Sequence, residues 1–584
     1  MGVKNFPDPD HAPALSENAI TLLERRYLLK NARGEVTETP DEMFRRVAHC
    51  VASADLIYGD DAASAEQEFY HIMRNLYFLP NSPTLMNAGT DLGQLSACFV
   101  LPIFDSLSSI FDSLKYMALI QQSGGGTGFS FSKLRPEGDI VRSTKGVASG
   151  PVSFMSIFDV ATEVIKQGGR RRGANIGILD VTHPDIMKFV RAKKQKDAFQ
   201  NFNISVAVTD SFMHAASSGE SYQLINPRTG EAAGEMDAGD LFDLIVSMAW
   251  EGGEPGILFI DEINRNNPTP QLGMIEATNP CAEQPLLPYE SCNLGSINLA
   301  RMMTNDGEID WDRLASTVRT AVHFLDNVID VNRYPLPQIE AITRANRKIG
   351  LGVMGFAELL FRLRIPYNSE EGVEVAERVM SFISREARKK SQNIAESRGS
   401  FKNFEGSLWD LKGYTAMRNA TLTTIAPTGS ISIIAGTTSG IEPLFAISFV
   451  HNVIDGTRLV EINSVFEEVA RRRGFYSHEL MQKILRTGSI SEIAEIPDDV
   501  KDVFQIAMDI SPDWHVKMQA AFQRYVDNGV SKTVNLPPDA TIESVREVFL
   551  LAFRLKCKGI TVYRYKSRGE GVLTPGCSGV ICNE

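Results

Sequence analysis

Asn279, Cys281 and Glu283 stand at alternate positions in the stretch NPCAEQPLLPYESCNLGSI, residues 279–297. An amide, a thiol and a carboxylate on one small surface suit redox or radical chemistry with an acid–base partner at hand. Pro280, Pro285 and Pro288 lack amide donors and fix their own backbone, so neither a helix nor a central strand can run through this stretch. The expectation is an irregular extended loop whose alternate side chains share a face, with Pro280 and Ala282 behind. A second thiol, Cys292, follows beyond the prolines. A lone loop cysteine is commonly buried packing; it is the constellation that argues for chemistry.

The chain that must position these groups has 584 residues, 43% hydrophobic and 22% charged, with formal net charge -13. That balance excludes general nucleic-acid or anionic-membrane binding, and any anionic ligand has to be met locally. No apolar run approaches a membrane span and the start MGVKNF has no signal-peptide core, so a cytoplasmic protein is expected. The cysteines at 50, 98, 281, 292, 557, 577 and 582 form no disulfide framework. No CxxC occurs and no His stands at ligand spacing from a Cys, which speaks against a structural zinc site. In a reducing compartment the remaining roles for thiols are redox, radical or structural, and Cys50 and Cys557 read as structural.

Residues 1–80 read as a helical region, with apolar residues at three- and four-residue spacing over 17–30, 40–53 and 62–75. From 81 to 566 short apolar strands alternate with helices, the α/β pattern of one large catalytic domain. Residues 567–584 carry little apolar material and two cysteines and read as a mobile tail. Within the large domain, Cys98 opens a strand and Asp105-Ser106 opens a helix in capping style. The cluster SGGGTGFSF at 123–131 is either a tight turn or a place where backbone amides approach a ligand closely. The run QGGRRRG at 167–173 puts three arginines on a glycine-flanked loop suited to phosphate or a nucleobase. Gly350, Gly352 and Gly355 match GxGxxG, but the preceding residues read as helix, so close helix packing is expected rather than a dinucleotide fold. In TIAPTGSISIIAG, Pro427 suits a first helical turn, with Thr428, Gly429 and Ser430 where the helix begins, either an ordinary cap or a phosphate site.

NSPTLMNAG, LSACFVLP, GGGTGFSFSKLRP, NPCAEQPL, SCNLGSINL, IGLGVMGFAE, APTGSIS, SGIEP and KGITVYR occur in this order over more than four-fifths of the chain. Together they closely resemble the catalytic chain of ribonucleotide reductases, specifically the adenosylcobalamin-dependent class II enzymes. The resemblance implies a ten-stranded α/β barrel of two five-stranded halves with the Cys281 loop at its centre. It implies Cys281 as the thiol that becomes a thiyl radical and takes the substrate 3′ hydrogen, Glu283 as acceptor of the 3′-OH proton, and Asn279 as a ribose-orienting amide. Cys98 and Cys292 are then the dithiol that reduces C2′ and ends as a disulfide. Ser82, Ala97, Gly126 and Pro427, Thr428, Gly429, Ser430 and Ile431 match substrate-binding positions. Ala97 stands where some relatives have Ser.

Asp105, Arg135 and Arg142 match the family's deoxynucleotide effector site, and the loop from Gln167 to Ala174 matches the relay to the substrate base. That site implies a homodimer, with ATP or deoxynucleotides as effectors. The N-terminal region is expected to lack the ATP cone of some relatives. Tyr563-Arg564 stands where class I chains carry two tyrosines for radical transfer, and no glycyl-radical motif follows Lys566. Adenosylcobalamin is therefore the expected radical source. A class I subunit and a glycyl-radical lyase are the alternatives, beside a dead nucleotide-binding regulator. Cys577 and Cys582 fit a tail dithiol that re-reduces the Cys98–Cys292 disulfide with a thioredoxin- or glutaredoxin-type reductant. The expected substrate is a ribonucleoside diphosphate, with a triphosphate as the other candidate.

Overall fold

The computed structural model describes residues 14–584 except 141–145, 166–172, 196–197, 453–457, 566, 568–572 and 576–584. Arg142, most of the arginine loop, Cys577 and Cys582 thus lie outside the described residues. The chain begins with helices Glu17–Arg26, Pro40–Ala52, Asp55–Tyr58 and Ala62–Arg74. Thr39 and Glu42 form a reciprocal capping box at the second of these, with Pro40 in the first turn. Met43, Phe44, Val47, Ala48 and Val51 make its buried stripe, which packs into the core shared with Trp311–Val331 and Glu370–Arg398.

Ten strands form one mixed sheet. Cys98–Val100, Gly126–Ser130, Asn175–Asp180, Phe202–Val208 and Gly256–Phe259 are hydrogen-bonded in that order and all parallel, making a first half. Ser291–Asn298 runs parallel to Ile349–Met354, and Thr533–Leu536 parallel to Gly559–Arg564. The halves meet antiparallel at two seams, Cys98–Val100 against Ser291–Asn298 and Gly256–Phe259 against Gly559–Arg564. Phe78–Pro80 adds an antiparallel strand outside the second half. Parallel strands need both faces covered. Outside lie the helices, and inside lies an apolar cluster of Cys98, Ile176, Ile178, Ala207, Leu258, Cys292 and Leu294.

The expected barrel of two halves is present, but its ladder is not continuous. Between Ile349–Met354 and Thr533–Leu536 the tenth place is taken by residues 421–425, which form no regular strand but meet their neighbours through the isolated bridges Leu351–Thr423 and Ile425–Val530, with backbone bonds such as Leu351 N–H to Leu422 O at 2.8 Å. Threonine side chains add further bonds here: Thr421 donates its hydroxyl to Ile349 O, Thr423 accepts from the Asp527 amide, and Thr424 donates to Glu283 O.

Gly350 and Gly352 correct the helix-packing expectation. They sit inside the strand Ile349–Met354, and a Cβ on Gly352 would lie 2.3 Å from the Thr424 carbonyl oxygen. Their bareness admits a neighbouring backbone. Gly355 follows at φ 76° and turns the chain into the helix Phe356–Leu363. Among the described residues, no helix is long and apolar enough to cross a membrane.

Candidate active site

The Cys281 stretch is not an extended loop. Ala277–Thr278 pairs antiparallel with Pro285–Leu286, so the segment is a short hairpin with residues 279–284 as its tip. Ala282 takes φ 63° and donates its N–H to Asn279 O at 3.0 Å. Asn279 closes the tip from both sides: its N–H donates to Gln284 O at 3.1 Å, and its Oδ1 accepts the Gln284 N–H at 2.9 Å. The left-handed residue breaks the alternation assumed for an extended chain, and the three groups diverge. Cys281 is exposed, while Asn279 and Glu283 are buried.

Bare backbone lets this hairpin enter the barrel. A Cβ on Gly128 would lie 1.6 Å from Thr278 O, one on Gly126 would lie 3.0 Å from Pro280 Cγ, and one on Gly529 would lie 2.5 Å from Ala282 O. The glycine cluster therefore serves close approach of the protein's own backbone. Two side chains then pin the tip. Asn203 donates Nδ2–H to Pro280 O at 2.8 Å, and Thr424 donates its hydroxyl to Glu283 O at 2.8 Å, where the Gly529 N–H also donates at 2.8 Å. Asn203 carries no signal in the sequence, and Thr424, at the head of TIAPTGSISIIAG, gives no hint of this contact, because each acts through a partner more than 70 residues away in the chain.

On its buried side the tip meets Cys98. Asn279 Nδ2 lies 3.0 Å from Cys98 Sγ, and the Cys98 thiol points to Glu283 Oε1 at 3.8 Å. Cys98 in turn is the register partner of Cys292 across one antiparallel seam and of Gly126 on its other side. Directly opposed residues hold their Cβ atoms about 4.5–5.5 Å apart, close to the separation a disulfide uses. No disulfide joins the two thiols. Burial pushes the Cys292 thiol well above its ordinary pKa; Lys348 opposes this, and Glu290 and Glu283 add to it.

The exposed side opens on a cavity of about 740 Å³, whose wall includes Cys281, Asn203, Pro427, Glu442, Asn535 and Tyr563. The glycine-rich helix start falls on this wall with a shifted boundary. Thr428, not Pro427, adjoins the helix Gly429–Ala435; it has φ 52°, and its hydroxyl accepts the Gly440 N–H at 2.7 Å. Space around Gly429 is open. Ser82 lies in the helix Ser82–Asn87, its hydroxyl 2.8 Å from Tyr27 Oη, and Ala97 is buried just ahead of Cys98.

The effector candidates lie apart from this centre. Arg135 reaches both oxygens of Asp105 through Nε, at 3.0 and 2.8 Å. Ser106 alone caps the helix Leu107–Gln122, so the capping role proposed for Asp105 is replaced by this ion pair.

Comparison with known proteins agrees with this arrangement. The family profile described as the ribonucleotide reductase barrel domain matches residues 96–563, and that of the ribonucleotide reductase all-alpha domain matches 14–93. A vitamin B12-dependent ribonucleoside-diphosphate reductase of Thermoplasma acidophilum is 51% identical, covering 96% of this chain and 80% of that protein. One of Mycobacterium tuberculosis is 53% identical, covering 96% and 81%. Among solved structures, the Actinobacillus ureae class Id ribonucleotide reductase alpha subunit aligns with TM-score 0.77 at 25% identity, over 94% of this chain and 97% of that one. With the matched barrel spanning most of its length and a cysteine hairpin at the barrel's centre, the chain belongs to the ribonucleotide reductase family.

Proposed function

We propose that this chain reduces ribonucleoside diphosphates to 2′-deoxyribonucleotides by a thiyl-radical mechanism that depends on adenosylcobalamin. The observation that carries the reading is the two-sided hairpin: Cys281 faces a large cavity, while Asn279 and Glu283 face a cysteine whose register partner is a second cysteine. The relatives named as B12-dependent support the cofactor.

The cavity fits such a group. At about 740 Å³, and open to solvent, it admits a large ligand, and the hydroxyl, amide and carboxylate groups of Ser205, Asn203, Asn535, Glu254, Glu358 and Glu442 suit the amide-rich rim of a corrin. When bound there, adenosylcobalamin supplies the one-electron oxidation of Cys281 through homolysis of its cobalt–carbon bond. The rest falls to the chain. Cys281 takes the 3′ hydrogen, Glu283 accepts the 3′-OH proton, and Asn279 orients the ribose. Cys98 donates the proton with which the 2′-hydroxyl leaves as water, and Cys98 and Cys292 together give two electrons and close as a disulfide. Ser82, Ala97, Gly126 and residues 427–431 are the proposed substrate contacts. Enclosure within the barrel protects the radical from water and oxidants.

Asp105 and Arg135, with Arg142, are the proposed effector site. Leu107, Phe111 and Leu119 of one helix and Val160 and Val164 of Gly150–Val164 are exposed apolar side chains beside it, which supports a homodimer across these two helices. Cys577 and Cys582 are the proposed tail dithiol, serving a thioredoxin- or glutaredoxin-type reductant in a reducing cytoplasm.

The test is reduction of CDP and of CTP by the purified chain with dithiothreitol, with and without adenosylcobalamin, beside Cys281→Ser. Deoxynucleotide that forms only with the cofactor and only with Cys281 upholds the reading. Activity that appears only after a separate metal-bearing radical subunit is added overturns it in favour of a class I subunit.

A further inference from the structure

Lys348 and Glu290 form a salt bridge at 2.5 Å with both side chains 1% exposed, inside the barrel wall next to Cys292. Glu290 is fixed three ways: Lys348 Nζ and the Leu287 N–H donate to Oε2, and Asn346 Nδ2 donates to Oε1. Lys348 immediately precedes the strand Ile349–Met354, whose first residue is the register partner of Asn293. Cys292 and Lys348 are thus neighbours across the strands, and the Cys292 thiol donates to the Lys348 carbonyl at 3.6 Å. Gly126, Cys98, Cys292 and Lys348 form one row over four adjoining strand positions. A buried ion pair contributes little net stability, since apolar residues of equal volume commonly replace it without loss. Its place beside a redox sulfur calls for a chemical account.

We infer that Lys348, anchored by Glu290, is a positioning residue for re-reduction of the Cys98–Cys292 disulfide, stabilising the Cys292 thiolate as that sulfur leaves. The inference rests on the reading of Cys98 and Cys292 as the electron-donating pair. Cys292 is wholly buried and Cys98 is 4% exposed at the hairpin, so an incoming thiolate meets Cys98. A bond forms between the reductant sulfur and Cys98, the Cys98–Cys292 bond breaks, and the electron pair stays on Cys292. The reductant's second thiol then attacks its own mixed disulfide and frees Cys98. In total the dithiol gives up two electrons and two protons. Leaving-group thiolates depart faster when stabilised, and an uncompensated thiolate in an apolar wall is strongly disfavoured. Burial is the main force against the charged form of Cys292; Lys348 is the opposing charge, ahead of Glu290 and Glu283, which disfavour it.

The experiment isolates exchange from turnover. In a Cys577→Ser/Cys582→Ser background the disulfide is formed with diamide, confirmed by peptide mapping as Cys98–Cys292, and reduced with dithiothreitol from pH 6 to 9 while thiols are counted. Lys348→Met is expected to slow reduction at pH 7 several-fold, because the Cys292 thiolate leaves without a compensating charge. Lys348→Arg is expected to keep most of the rate. Lys348→Met/Glu290→Gln leaves no lone buried charge and guards against misfolding of the single variant; a smaller slowing is expected in it, because the Glu290 charge that disfavours the thiolate is removed as well. An unchanged rate and pH profile in that folded double variant overturns the inference while CDP reduction still upholds the proposed function. Failure of the Cys98–Cys292 disulfide to form at all overturns the pairing itself, and the inference with it.

Discussion

The side-chain amide of Asn279 lies 3.0 Å from the sulfur of Cys98, so one residue at the hairpin tip both closes the tip and touches the barrel wall. Its Oδ1 serves the hairpin and its Nδ2 serves the cysteine. Asn279→Ala removes both bonds. A buried hydrogen bond lost this way costs about 1–3 kcal/mol, and misplacing a reacting group by about 1 Å costs roughly 10²-fold in rate. The variant is therefore expected to stay folded while kcat for CDP falls at least about 100-fold. Denaturant unfolding and steady-state kinetics on the same preparation check this, and near-normal kcat would show that Asn279 holds nothing the reaction needs.

Gly128 gives a sharper steric case. Because its Cβ would lie 1.6 Å from Thr278 O, and the obstacle is backbone, Gly128→Ala must push the hairpin inward or part the first half of the barrel. Loss of at least about 100-fold in activity is expected, with a lowered Tm and faster alkylation of Cys98 by iodoacetamide. Gly138→Ala is the comparison, since a Cβ there meets nothing, although its φ of 82° carries some strain of its own. Similar activities for the two variants would contradict the steric account.

The sequence made the family and the fold class legible and left much of the local geometry hidden, for physical reasons that particular residues show. Asn279, Cys281, Glu283, Cys98 and Cys292 stand out as candidates by type and by motif order, and the helical start and α/β body by periodicity. The extended-loop argument failed at Ala282, whose positive φ no local rule predicts for alanine. Gly350 and Gly352 were assigned to helix packing because a short apolar run has no period that separates strand from helix. For the glycine cluster that holds Gly128, a tight turn and close approach of a ligand were both open, because its true neighbour, Thr278, is 150 positions away. Asn203 and Thr424 were hidden for the same reason: each acts through a long-range contact to a backbone carbonyl.

Arg135 and Asp105 make a separable prediction. The ion pair is partly exposed, and pairs of that kind contribute about 0–1 kcal/mol to stability. Arg135→Gln should therefore leave Tm within about 2 °C. If the pair belongs to an effector site, the same change abolishes the shift in CDP versus GDP preference that deoxynucleotides cause, with basal CDP reduction persisting. Retention of that effector-driven shift would place the site elsewhere.

Asp326 carries the pH dependence of the fold. It is fully buried, with Arg347 Nε 2.9 Å and Asn419 Nδ2 2.9 Å from one oxygen and Arg418 Nε 3.1 Å from the other. Burial by itself raises its pKa; Arg347 and Arg418 outweigh burial and hold the carboxyl at about 2. Arg418 also donates to Tyr58 and Arg347 to Asp330, which ties the N-terminal helices to the barrel. A carboxyl with a depressed folded pKa contributes stability that is complete above its unfolded value and is lost as pH falls through the folded one. The window is thus about pH 4 down to pH 2, and the contribution lost across it is roughly 2–3 kcal/mol. Asp326→Asn removes that leg of the acid transition and also leaves two buried guanidinium groups short of a partner, at about 3–5 kcal/mol at neutral pH. Urea unfolding of both proteins between pH 7 and pH 2.5 gives the difference directly. The gap between them should be widest at neutral pH and narrow below pH 4; a gap that stays constant with pH would mean that Asp326 is not the titrating group.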